Sequence, residues 1–299
     1  MNKKKLFFKT GIHMSIVLLI IAIFLSGHPG RSDPQAESGM TVIQNVRIFN
    51  GEKVLSETSV VLEAGRISLV THSFVPPADA KIIDGKGETL LPGLIDSHVH
   101  VWSPDNLKQA LVFGVTTVVD MFMDVKAMAG IKKQQLAGKA RNQAYLISAG
   151  TLTTAPRGHG TQFGVPIPTV TRPEEALDFV DARIAEGSDF IKIIWDDGSA
   201  YEISRPTLDK ETVDAVIKAA RKRNKLSIIH AATLENCMDA MEAGVSGLAH
   251  LYFNNAAHPD FGILASRKKT FVIPTLTVLE GMHGVSGAIS LADNPGLAP

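Results

Sequence analysis

Cysteine is almost absent from the 299-residue chain, with Cys237 the single example. That excludes an internal disulfide framework and any cysteine-built zinc cluster, so the 10 histidines carry the question of a metal. Net charge is lacking too, with 30 Lys+Arg balanced by 30 Asp+Glu. No excess positive field is available to attract phosphates, and a nucleic-acid partner is not expected. The body shows neither repeats nor low-complexity tracts. With 45% hydrophobic and 20% charged residues, the chain can bury a sizeable core. Its length suits a large domain with a smaller one, or an α/β barrel of roughly 250 residues.

The N-terminus reads as an address. Lys3, Lys4, Lys5 and Lys9 precede an apolar run over residues 14–25, followed at once by polar and turn-forming residues. A basic region ahead of a short apolar stretch is the pattern of a secretory signal, and a spanning helix needs about 20 apolar residues. Residues 1–26 are therefore expected to direct export to the periplasm or the exterior. If uncleaved, residues 14–25 would act instead as a membrane anchor. Residues 27–39 read as a linker.

Residues 40–89 carry short apolar clusters at Val42-Ile43, Val46–Ile48, Val60–Leu62 and Ile67–Val70. Asn50-Gly51, Ala64-Gly65 and Asp84-Gly85 separate them, which predicts a small β-structure. After Leu90 the rhythm alternates. Strand-like runs at Leu91–His100, Val115–Phe122, Tyr145–Gly150, Phe190–Asp196, Leu226–Ala231, Gly247–Phe253 and Phe271–Val278 are separated by helical stretches such as Pro173–Glu186 and Asp209–Arg223. The latter places Val213, Val216, Ile217 and Ala220 on one face. Repeated βα units mean a parallel sheet, and seven strands favour an eight-stranded barrel over a doubly wound sheet.

The sharpest motif is Pro92–His100. Residues two apart on a strand share a face, so Asp96, His98 and His100 point the same way. The two imidazoles lie roughly 7 Å apart along the strand and can converge on one cation at about 2.1 Å. Two strand-end histidines bonded to backbone would be the structural alternative. Recurrence argues against it: His230 and His250 end two further apolar runs, 20 residues apart, and would open onto the same barrel mouth. Lys192 sits within the apolar run Phe190–Trp195. Burial there should lower its pKa, and a neutral amine can combine with carbon dioxide to give a carbamate able to bridge two cations. Snorkelling, or an ion pair with Asp196, would be the ordinary alternative.

These pieces, together with Gly114–Val118 and Pro274–Leu276, make the chain resemble the amidohydrolase superfamily, most closely its imidazolonepropionase-like and Xaa-Pro-dipeptidase-like branch. The resemblance spans residues 40–276. It implies a (β/α)8 barrel with a small β-sandwich, and one or two divalent metals, zinc or else manganese or iron, that activate water against a C–N bond. By position, His98 and His100 would bind the first metal and His230 and His250 the second, with carboxylated Lys192 between them. His159, in Gly158-His159-Gly160, falls in a loop that faces substrate in similar proteins. The second strand lacks the arginine and glycines that relatives often carry after the paired threonines. The family's catalytic aspartate lies on an eighth strand with no counterpart before Pro299. The expectation is thus an incomplete barrel over residues 90–299 with low activity of its own. The substrates expected are small amides such as a dipeptide or an N-acyl amino acid. A one-metal cyclic-amide hydrolase or deaminase, and a degenerate barrel without turnover, are the competing expectations. Oligomeric state is not legible in the sequence.

Overall fold

A computed structural model describes residues 39–282 of the chain. The expected signal and nearly all of the linker lie outside these residues. Among the described residues no helix is long and apolar enough to cross a membrane.

The first five strands are β1 (Thr41–Phe49), β2 (Val54–Glu63), β3 (Arg66–Thr71), β4 (Lys81–Asp84) and β5 (Thr89–Leu90). They form one sheet in the order β3-β2-β1-β4, with β5 also paired to β1. Both hairpins arise where the sequence places turn residues. The Asn50 side chain accepts from the backbone N–H groups of Glu52 and Lys53. Ala64 and Gly65 both take positive φ, 51° and 73°, as a two-residue turn between twisted strands requires. Val46, Ile48 and Val60 pack beneath them.

The chain then alternates strand and helix: β6 (Leu94–Val99), α1 (Pro104–Val112), β7 (Val115–Asp120), α2 (Val125–Leu136), β8 (Tyr145–Ser148), α3 (Ala176–Glu186), β9 (Ile191–Ile194) and α4 (Lys210–Lys222). It continues with β10 (Ser227–His230), α5 (Leu234–Ala243), β11 (Gly247–Leu248), α6 (Phe261–Lys268), β12 (Phe271–Val272) and α7 (Leu276–Met282). Strands β6-β7-β8 and β9-β10-β11-β12 pair in parallel, each in sequence order. A parallel bridge between Thr153 and Ile193 joins the two groups, with the Asp189 amide donating to the Ser148 carbonyl at 2.9 Å. The fold is thus α/β, and among the described residues seven parallel strands follow in the order of a βα barrel.

Helix α4 buries the anticipated face, Val213, Val216, Ile217 and Ala220, and is capped by Asp209, whose carboxylate accepts from the Thr212 amide at 2.7 Å. The final stretch departs from expectation. Instead of a strand over Phe271–Val278, pairing stops at Val272 and a helix begins at Leu276. Pro274 has no N–H to give a ladder, and Thr275 turns the chain with φ 45°. The expected strand Gly247–Phe253 likewise shrinks to Gly247–Leu248, so His250 lies just beyond the strand.

Candidate metal centre

Parallel strands deliver side chains to one end. His98 lies within β6 and His100 directly follows it, His230 is the last residue of β10, and His250 stands two residues past β11. The structure brings these four rings together. Ring centroids are 5.6 Å apart for His98 and His100, 4.7 Å for His98 and His250, and 4.6 Å for His230 and His250. His159 extends the group, its ring 5.0 Å from that of His230.

Lys192, in the middle of β9, is only 3% exposed. Its Nζ has no hydrogen-bond partner, and neither does the buried Nδ1 of His98. Burial pushes the amine down to about 7. The two ordinary explanations for this lysine are corrected: it does not reach solvent, and Asp196 pairs with His230 instead, at 3.2 Å. An unpaired buried amine costs several kcal/mol when charged, so the neutral form is favoured. Burial holds His98 near 2, and burial also lowers His230 despite the opposing pull of Asp196. Neutral imidazoles are the form that ligates metal.

The hydrogen bonds assign protons to the rings. His100 Nδ1 lies 3.3 Å from the Phe122 carbonyl, which can only accept, so Nδ1 carries the proton and Nε2 keeps its lone pair. His230 Nε2 faces the Asp196 carboxylate, held ionised chiefly by that same bond against the effect of its burial. His230 Nδ1 is therefore the free lone pair. His250 Nδ1 is 2.7 Å from the Thr275 hydroxyl. Such outward bonds orient rings around a cation.

His159 is different. Its Nδ1 lies 2.6 Å from Arg205 Nη1 and 3.2 Å from Gln162 Nε2. Both partners donate, so Nδ1 accepts and Nε2 carries a proton. Burial lowers this ring to about 4, and the Arg205 guanidinium adds to the effect. His159 presents an N–H and not a metal lone pair. Arg205 itself has no carboxylate partner among the described ion pairs. Sequence reasoning missed Arg205 and Gln162, which lie in irregular segments without periodicity, and took Asp196 only as a partner for Lys192.

The donor set therefore fits a divalent cation: neutral nitrogen ligands, oriented rings, and a buried amine without a partner. Among the described residues, no three His, Cys, Asp or Glu side chains are yet drawn together closely enough to hold an ion.

Residues 89–279 match the Amidohydrolase family. Among curated proteins, the dihydroorotase of Anoxybacillus flavithermus is 34% identical over 64 residues, covering 21% of this chain and 15% of that protein. The adenine deaminase of Listeria innocua is 37% identical over 109 residues, covering 34% and 18%. A crystal structure of a Xaa-Pro dipeptidase with bound methionine in its active site superposes with a TM-score of 0.69 at 25% identity, covering 86% of this chain and 70% of the other. The matches thus span less than a fifth of these two curated relatives. The family match runs from the last strand of the small sheet to α7 and takes in all five expected ligands, His159 included besides, so the chain belongs to the amidohydrolase family.

Proposed function

We propose that the protein is a metal-dependent hydrolase of C–N bonds, acting on small amides that carry a carboxylate, such as dipeptides or N-acyl amino acids. The observation that carries this reading is Lys192: a neutral, unpartnered amine buried beside four neutral imidazoles. In the proposal, His98, His100, His230 and His250 hold one or two divalent cations, zinc or else manganese or iron. Lys192 would add carbon dioxide through its nitrogen with loss of a proton, and the carbamate anion would join the histidines as a metal ligand. A bound cation would lower the pKa of water and polarise the scissile carbonyl.

The chain's own residues would do the rest. His159 donates from Nε2 to an oxygen of the substrate, because Arg205 and Gln162 occupy its other nitrogen. Arg205, lacking an acidic partner, would hold the substrate carboxylate. Asp196 keeps His230 in one tautomer. Water would add to the carbonyl carbon, and the proton it gives up would pass to the nitrogen as the C–N bond breaks, leaving a carboxylic acid and a free amine. The names of similar proteins, a dihydroorotase, an adenine deaminase and a Xaa-Pro dipeptidase, support chemistry at C–N bonds. The basic and apolar N-terminus supports export or membrane anchoring.

Purified protein supplied with zinc or manganese and bicarbonate should release amine from dipeptides or N-acyl amino acids, slowly in keeping with the low activity expected from the sequence, and a chelator should stop it. His98→Ala should lower bound metal as well as rate, since a ligand is removed. Stoichiometric metal with no amine released from any of these amides would overturn the reading.

A further inference from the structure

Three aromatic residues from three different strand-end segments meet beside the histidine cluster. Trp102 follows β6, Phe122 follows β7, and Phe163 lies in a short 3-10 turn, Thr161–Phe163, in the loop after β8. Their ring centroids are 5.5 Å apart for Trp102 and Phe163, 5.9 Å for Phe122 and Phe163, and 6.3 Å for Trp102 and Phe122. Trp102 also stacks on His100 at 5.9 Å, and Phe163 meets His159 edge-on at 6.3 Å. The aromatic group therefore touches both a proposed metal ligand and the proposed substrate donor.

Two of these rings are left open. Phe122 is buried, whereas Trp102 is 59% and Phe163 42% exposed. Such rings are usually among the most buried area a chain can offer. Their backbones are nonetheless fixed. The Trp102 amide donates to Asn106 Oδ1 at 3.2 Å, within the capping box that starts α1. The Phe163 turn is flanked by Gly160 and Gly164, at φ 102° and 76°. A side chain at Gly160 would also strike Leu152. The local folding thus holds two open aromatic faces at the end of a parallel sheet where barrel ligands bind.

Building on the hydrolase reading, we propose that Trp102, Phe122 and Phe163 form a specificity subsite that receives an aromatic or bulky apolar group of the amide substrate. Ring faces pack best on other rings in offset or edge-to-face contact, which an incoming phenyl group can complete with Trp102 and Phe163. Exclusion of water there would also shield the neighbouring histidines.

The test compares N-benzoylalanine with N-acetylalanine, and N-acetylphenylalanine with N-acetylalanine, by kcat/KM. At least one aromatic member should be preferred by about 10- to 100-fold, the range a side-chain pocket achieves. Trp102→Ala and Phe163→Ala should each cut that ratio by about tenfold, and Trp102→Phe should restore most of it. Equal rates for aromatic and small members, or a preference that survives both alanine variants, would overturn the subsite. Binding supplies a readout independent of turnover. By calorimetry, 3-phenylpropionate should bind at least about tenfold more tightly than propionate, and the gap should vanish in Trp102→Ala. If no amide is hydrolysed yet this gap is found, the hydrolase reading fails and the aromatic subsite stands. Equal binding of the two acids would overturn it.

Discussion

Lys192 shows how a single residue converts a stability cost into a chemical opportunity. A lysine in the middle of an apolar parallel strand gives up hydration without gaining a hydrogen bond, and burial lowers it to about 7. A neutral amine is the form that adds carbon dioxide, so carbamate formation should rise as pH climbs through 7. With 13C-labelled bicarbonate and zinc, NMR should show a lysine carbamate in the wild type and none in Lys192→Met. The same variant should bind zinc more weakly by about 10- to 100-fold, the range for disturbed metal sites. An unchanged zinc affinity would place Lys192 outside the centre. In the sequence, this lysine stood out because a cation inside Phe190–Trp195 has no cheap place to go. Arg205 and Gln162 gave no such sign, because in loop segments their residue types are ordinary.

At the scale of elements, Asp120 at the end of β7 ties neighbouring strands together. Its carboxylate accepts from the Val101 amide at 2.9 Å, just after His100, and from the Ser148 hydroxyl at 2.6 Å at the end of β8. Burial raises it from 3.8 to about 6, the largest effect, against these hydrogen bonds. Between those two values the folded chain holds a proton that the unfolded chain has lost. Stability from this group is therefore full below pH 3.8, falls as pH rises, and is gone above about 6. A shift of about 2 units is worth roughly 3 kcal/mol. Asp120→Asn keeps an acceptor for Val101 and cannot ionise. Urea midpoints of wild type should consequently fall relative to the variant between pH 4 and pH 7, and a constant difference would contradict the assignment. Such strand ends were only partly legible. Apolar runs marked β6 to β11, but the runs overstate the pairing, because residues beyond the ladder remain apolar to pack the barrel end. At Phe271–Val278 the apolar pattern outweighed the visible Pro274, and nothing in it signalled the positive φ of Thr275 that turns the chain into a helix.

Across the whole molecule, alternation of strands and helices was readable because each βα unit repeats one physical pattern, an apolar run followed by a one-faced helix. The convergence of His98, His100, His230 and His250 followed from that pattern, since parallel strands bring their ends to one side. The aromatic wall did not, because Trp102, Phe122 and Phe163 are separated in sequence and join only through loop geometry. The central claim is that the four histidines and Lys192 hold divalent metal. Anomalous diffraction at the zinc edge, from crystals grown with zinc and bicarbonate, tests it most directly. One or two strong peaks should lie among the His98, His100, His230 and His250 rings, against the Lys192 side chain. Zinc bound stoichiometrically elsewhere, with those rings unmoved, would contradict the account.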